Sequence, residues 1–200
     1  TEGEGLDEGI LSLLQGGQRK TSISFNGDAS LKSGRYVFEL HGVDVDINGP
    51  TGGQITLISE GPTSETDWTE ENAYPTSSAL LIKGSDENPT KIRFNDININ
   101  FITNAHSNTN KKKEELGAGT IVVAGGAQGG AGYVELGFNN SNVYVGFTLE
   151  GDYEQDNLAY GIITRQNKNS LTFNNSNLKL DSNFGGVYLE ETNLYADGDF

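Results

Sequence analysis

The sequence predicts an all-β chain, most simply a right-handed parallel β-solenoid with a short N-terminal capping helix, and three observations carry that reading. Four short segments echo one another: Phe94-Asn95-Asp96-Ile97-Asn98-Ile99, Phe138-Asn139-Asn140-Ser141-Asn142-Val143, Phe173-Asn174-Asn175-Ser176-Asn177-Leu178 and Leu189-Glu190-Glu191-Thr192-Asn193-Leu194. Each reads as the end of one strand, a tight Asn-rich corner and the start of another, and repetition on this scale is the mark of a stacked β architecture. Between these corners apolar residues alternate with polar ones, the period of a strand with one face buried. The composition agrees: Gly (27 residues) and Asn are abundant, Pro (4) is scarce, and 34% of residues are apolar. Gly and Asn tolerate the left-handed backbone that tight corners need.

The elements follow in order. Residues 1–20 form an N-terminal segment in which Leu6, Ile10, Leu11, Leu13 and Leu14 recur near helical spacing before Gly16-Gly17. That pattern predicts a short amphipathic helix, suited to covering the open end of a β stack, where bare strand edges would aggregate. Residues 21–200 read as a single β domain. Strands are expected over Ser22–Phe25, Tyr36–Leu40, Val43–Ile47, Gln54–Ile58, Ala79–Lys83, Lys91–Ile102 and Thr120–Ala124, followed by strands and Asn corners to Tyr195. Two polar stretches, 59–78 and 103–118, read as excursion loops.

The echoes are spaced by 44, 35 and 16 residues, counted from Phe94 to Phe138, Phe173 and Leu189. If the longer steps each span two coils, the coils are roughly 22, 17 and 16 residues long, a size expected of a solenoid. The corner asparagines Asn98, Asn142, Asn177 and Asn193 would then stack as hydrogen-bonded ladders, with Phe94, Phe138, Phe173 and Leu189 inside. An earlier, weaker echo is Phe38-Glu39-Leu40-His41-Gly42-Val43. The alternative is a β-sandwich or jelly roll, in which the repeated corner is only a hairpin preference.

The stretch Leu171-Thr172-Phe173-Asn174-Asn175-Ser176-Asn177-Leu178-Lys179-Leu180 resembles, in style, the passenger domains of bacterial autotransporters and other right-handed β-helix surface adhesins of pectin-lyase-like architecture. The resemblance spans residues 79–200, and 21–78 more weakly. It implies an adhesin, a self-association module or a scaffold, with enzymes a minority, and it carries over no active-site residue.

Composition excludes some functions. A net charge of −15 and a pI near 4.4 oppose binding to nucleic acid and to anionic membranes. The chain has no Cys, hence neither disulfides nor thiolate metal sites, and no Met, which reads as a processed product or fragment. No apolar run approaches the roughly 18 residues of a membrane span, so direct membrane insertion is not expected.

Candidate sites are few. Asp44-Val45-Asp46-Ile47-Asn48-Gly49 opens like a calcium loop, with hard oxygens from Asp44, Asp46 and Asn48, but Ile55 stands where an EF-hand has its bidentate acid. The same residues suit a strand with acids on its solvent face. Gly125–Gly132 has neither the Lys nor the helix of a phosphate loop and reads as a turn. His41 and His106 have no metal-ligand spacing around them. Trp68 and Tyr74 share one excursion loop and could bind a sugar or a protein partner, or fold back over the stack. Tyr144, Tyr153, Tyr160, Tyr188 and Tyr195 would form a second recognition strip if they shared a face. Asn139 and Asn174 begin Asn-x-Ser sequons, but a ladder role explains both.

The sequence therefore points to a non-enzymatic, secreted or cell-surface adhesin domain without a cofactor. Its partner would be a protein or carbohydrate on a host or neighbouring cell, or another copy of itself. A polysaccharide-active β-helix enzyme, such as a lyase or tailspike-like hydrolase, and a matrix or filament subunit are the alternatives.

Overall fold

A computed structural model describes residues 20–34, 36–60, 78–85, 87–106, 118–125, 133–150, 159–165, 168–183 and 185–197. Among them are sixteen strands. They are β1 (Lys20–Ser24), β2 (Ala29–Ser33), β3 (Tyr36–His41), β4 (Asp44–Asn48), β5 (Gln54–Glu60), β6 (Ser78–Gly84), β7 (Thr90–Asn95) and β8 (Asn98–His106). The second half adds β9 (Ala118–Gly125), β10 (Val134–Asn139), β11 (Asn142–Glu150), β12 (Ala159–Arg165), β13 (Asn169–Asn174), β14 (Asn177–Ser182), β15 (Gly185–Leu189) and β16 (Thr192–Asp197).

Every third strand pairs, always in parallel. Sheet A runs β1-β4-β7-β10-β13-β16, sheet B β2-β5-β8-β11-β14, and sheet C β3-β6-β9-β12-β15. Each coil thus contributes one strand to each of three sheets, and the chain is a right-handed parallel β-solenoid, the hand favoured when parallel strands are joined by crossovers. All-parallel pairing excludes the sandwich and jelly roll, whose strands pair antiparallel. The expected N-terminal helix lies outside the described residues.

Alternation sets the core. On β7 the buried residues include Ile92 and Phe94, on β10 Leu136 and Phe138, and on β13 Leu171 and Phe173, each pair in register with the next. Phe94 stacks on Phe138 and Phe138 on Phe173, with ring centroids 5.1 Å apart in both pairs. Phe101 on β8 meets Phe94 and Phe138 edge-on, at 5.5 and 6.1 Å. A one-residue slip in any coil would turn this column outward, so the column fixes the register.

The A-to-B corners form the ladders the sequence suggests. Asn139 donates from Nδ2 to Asn95 Oδ1 (2.8 Å), and Asn95 to Asn48 (3.1 Å). Asn175 donates to Asn140 (2.9 Å) and Asn140 to Asp96 (3.2 Å). Asn177 donates to Asn142 (2.8 Å) and Asn142 to Asn98 (2.7 Å). The middle ladder holds the corner itself: Asp96, Asn140 and Asn175 have φ of 52°, 49° and 47°. That conformation disfavours most side chains and suits Asn and Asp. Inside each later corner a buried serine closes the turn. Ser176 Oγ accepts from Ser141 N (3.0 Å) and lies 3.1 Å from the Phe138 carbonyl, to which it donates.

Two expectations are corrected. The steps of 44 and 35 residues are single coils, since Phe94 pairs with Phe138 and Phe138 with Phe173. They are long because insertions lengthen each turn, as 107–117 does between β8 and β9. The fourth echo is also not equivalent: Leu189 pairs with Thr164 in sheet C and Asn193 with Ser170 in sheet A. It is a C-to-A corner, as is Phe38–Val43. Both corner types must place an inward apolar residue on either side of a short polar turn, so their patterns coincide.

Candidate functional site

The three sheets present different outer faces. On sheet A the face is an ion-pair ladder. Lys20, Asp44, Lys91 and Glu135 occupy one register row and alternate in sign. Arg93 on β7 binds both Asp44 and Asp46, the latter through Nε at 2.5 Å, while Lys20 reaches Asp46 at 2.7 Å. Burial would raise the Asp46 pKa, but hydrogen bonds and charge from Lys20 and Arg93 outweigh it and hold the carboxyl below its usual range. Lys91 binds Glu135 at 3.1 Å, and that hydrogen bond is the main cause of its raised pKa. Glu135 also accepts from the Tyr133 hydroxyl, which raises the tyrosine's pKa.

Asp44, Asp46 and Asn48, the residues offered to calcium by the sequence, lie on this face as one outward row of β4. Arg93 and Lys20 hold the two carboxylates, and Asn48 Oδ1 accepts from Asn95. A calcium ion there would have to displace two protein cations and break a ladder. Among the described residues no group of three or more His, Asp or Glu side chains is gathered as a metal site.

Sheet C is apolar on both sides. Leu80, Ile82, Ile121, Val123 and Ile162 face the core, while Leu81, Val122 and Ile163 point the other way and are also buried, with Tyr36, Tyr160 and Tyr188 packed against them. Strands buried on both faces read as continuous apolar runs rather than alternation. That is what Ala79-Leu80-Leu81-Ile82 and Ile121-Val122-Val123 are.

Sheet B is the polar, accessible flank. Its outward residues fall in rows: Gln54, Asn98, Asn142 and Asn177, then Thr56, Asn100, Tyr144 and Lys179. All of these but Thr56 line a shallow groove of about 660 Å³. Tyr144 is its aromatic feature. The ring lies over Gly146, where a Cβ would meet ring atoms at 3.1 to 3.4 Å, so glycine is what lets the ring settle on the strand. The hydroxyl donates to Asp181 at 3.3 Å, and Lys179 Nζ stands 5.8 Å from the ring centroid. Burial, then the Asp181 charge, raises the phenol pKa.

The far border of this flank is where the insertions leave. β5, β8 and β11 run out of register sheet B into residues 61–77, 107–117 and 151–158, and the chain returns as β6, β9 and β12. Glu60 pairs with Asn104 and His106 with Glu150, so three successive coils open at the same corner. The sequence reading found the first two of these insertions and missed the third. Trp68 and Tyr74 belong to the first and lie outside the described residues, as do Tyr153 and Gly126–Gly132. The tyrosines do not form one strip: Tyr144 is on sheet B, Tyr160 and Tyr188 pack together on sheet C with centroids 5.3 Å apart, and Tyr195 is on sheet A. The groove was missed because its members come from four strands and the corners between them, which no local motif joins.

No protein-family description, no curated protein and no solved structure matches this chain.

Proposed function

We propose that this domain is a non-enzymatic adhesive module, secreted or displayed at a cell surface, and that it recognises its partner through the outer flank of sheet B and the insertions along its border. One observation carries the reading: amide groups and an aromatic ring converge near one border of sheet B, and three insertions emerge from its opposite border. Loops held by a rigid scaffold are where binding groups concentrate. The Tyr144 ring offers an apolar face, and the surrounding amides offer donors and acceptors, a combination suited to a carbohydrate or a polar protein surface. Trp68 and Tyr74, carried by the first insertion, would add aromatic contacts. The resemblance to autotransporter passengers and β-helix adhesins supports the same assignment.

The ion pairing favours binding over hydrolysis. A glycosidase needs two carboxylates free to face one sugar, roughly 5–9.5 Å apart. The adjacent acids Asp44 and Asp46 are instead shared by one arginine, and Glu39, Glu135 and Glu190 each have a Lys or Arg partner.

Glycan-array and cell-adhesion binding by the purified chain tests this. Tyr144→Ala and Trp68→Ala should each weaken binding at least about tenfold, the scale of losing a buried aromatic contact, with an unchanged melting temperature. Full affinity in both variants contradicts the proposal. So does a sharply lowered melting temperature in a variant whose folded fraction still binds fully.

A further inference from the structure

We infer that Asn26 is a site of spontaneous covalent modification, its side-chain amide converting to aspartate or isoaspartate, while the fold holds the chain's other Asn-Gly pair intact. This goes beyond the proposed recognition and is independent of what is recognised.

Asparagine is followed by glycine at Asn26-Gly27 and at Asn48-Gly49. Such a pair carries its own chemistry. The glycine backbone nitrogen, on losing its proton, attacks the asparagine Cγ. A C–N bond forms, the side-chain nitrogen leaves as ammonia, and a five-membered succinimide remains. Water then opens the ring at one carbonyl or the other, giving aspartate or isoaspartate. Water is the only co-reactant, and nothing is oxidised or reduced. Glycine favours the step because no side chain shields its nitrogen or restricts its backbone. The step needs a free amide, a free N–H and a backbone with room to turn.

The structure separates the two pairs on each of these needs. Asn48 is the last residue of β4. Its Nδ2 donates to Ser22 Oγ at 2.9 Å, its Oδ1 accepts from Asn95 Nδ2 at 3.1 Å, and the Gly49 N–H donates to the Asn95 carbonyl at 3.0 Å. Every reacting atom is therefore engaged. Gly49 is also tightly packed: a Cβ there would stand 2.6 Å from both the Asp96 carbonyl oxygen and the Ile97 Cα. The backbone cannot turn without breaking the corner.

Asn26 has none of these restraints. It lies in the corner between β1 and β2, outside any strand, and Asn26, Gly27 and Asp28 are all exposed. Neither the Asn26 amide nor the Gly27 N–H has a hydrogen-bond partner among the described residues. A Cβ built on Gly27 would meet no atom within 4 Å. Exposed turns of small polar residues are where a chain tolerates covalent change best.

The position gives the change a consequence. Two residues on, Asp28 Oδ1 accepts from the Gln54 N–H at 2.8 Å, tying this corner to the start of β5, and both residues line the sheet B groove. The product carboxylate is ionised at neutral pH and adds a negative charge close to Asp28. Isoaspartate also routes the main chain through the former side-chain carbon, which lengthens the corner. Both effects loosen the hold of Asp28 on β5, so the modification alters the rim of the groove.

Peptide mapping by mass spectrometry tests this on the full chain, kept folded at body temperature in mildly alkaline water enriched in heavy oxygen. Asn26 should take up the label as ammonia is released. Asn48 should lag at least about tenfold, because its three hydrogen bonds must open before it can react. In urea-unfolded chain the two should convert alike. Gly27→Ala should slow Asn26 severalfold with an unchanged melting temperature, since the site has room for the methyl group. Hydrogen exchange at the Gln54 N–H should quicken in the modified protein. Asn48 keeping pace with Asn26 in the folded chain overturns the inference, and so does an Asn26 that stays intact while unfolded chain converts. Unchanged exchange at Gln54 refutes the consequence drawn for the groove.

Discussion

Phe138→Ala should be among the most damaging single changes to this fold. Phe138 is fully buried at the centre of the aromatic column, stacked on Phe94 and Phe173 and touched edge-on by Phe101. Truncating a buried phenylalanine costs about 3–5 kcal/mol in transfer and cavity terms. Its aromatic contacts place it at the upper end, since each such pair adds about 0.5–1.5 kcal/mol beyond burial. Phe173→Ala removes the same side chain from a place whose next row neighbour is the small Ala196, whereas Phe138 has a phenylalanine on each side. Its cost should fall near the lower end, about 3 kcal/mol. With a urea slope of about 3 kcal/mol/M, the Phe138 variant should unfold about 1.3–1.7 M earlier than wild type and the Phe173 variant about 1 M earlier. Far-UV circular dichroism during urea unfolding measures both. Equal midpoints, or a Phe173 variant weaker than the Phe138 variant, would refute the reasoning that the column's centre holds adjacent coils together.

Three further outcomes follow from particular contacts. Ser176→Ala should destabilise by about 1–3 kcal/mol in the same assay, because the buried Ser141 N–H loses its acceptor. Gly49→Ala should lower the melting temperature by several degrees, since a Cβ there would stand 2.6 Å from the Asp96 carbonyl oxygen and the Ile97 Cα; a melting temperature equal to wild type would show that the corner yields. Acid unfolding tests the sheet A ladder. The folded pKa of Asp46 lies below its usual 3.8, so its contribution to stability is complete above that value and is lost as pH falls through the folded one. Asp46→Asn should therefore lower stability at neutral pH and flatten its decline below about pH 4, and a decline as steep as wild type would count against the pairing.

Much of this architecture is legible in the sequence because corners and strands write different patterns. The Phe-Asn-x-x-Asn corners give the parallel stack, since the αL residue, the amide ladders and the inward Phe each demand a residue type at a fixed offset. Coil length is not legible in the same way. An insertion adds residues without altering register, so spacing alone cannot separate one long coil from two short ones. The fourth echo misleads because Leu189 and Phe173 meet the same local requirement at different corners. β2 escaped notice because Ala29-Ser30-Leu31-Lys32-Ser33 holds one large apolar residue, as a terminal strand with half a core beneath it can. The paired charges of Asp44, Asp46 and Arg93 lie in different coils and become neighbours only once the register is known.

That register is the central claim, and the absence of native cysteine makes it directly measurable. Ser30 and Lys179 are exposed and share one row of sheet B, four strands apart through Thr56, Asn100 and Tyr144. Spin labels on Ser30→Cys and Lys179→Cys, read by pulsed dipolar spectroscopy, report their separation. One coil per step predicts a backbone separation of about 19 Å, from a strand spacing near 4.8 Å. If the three longer steps each held two coils, seven spacings would give about 33 Å, and a distribution centred there would contradict the account.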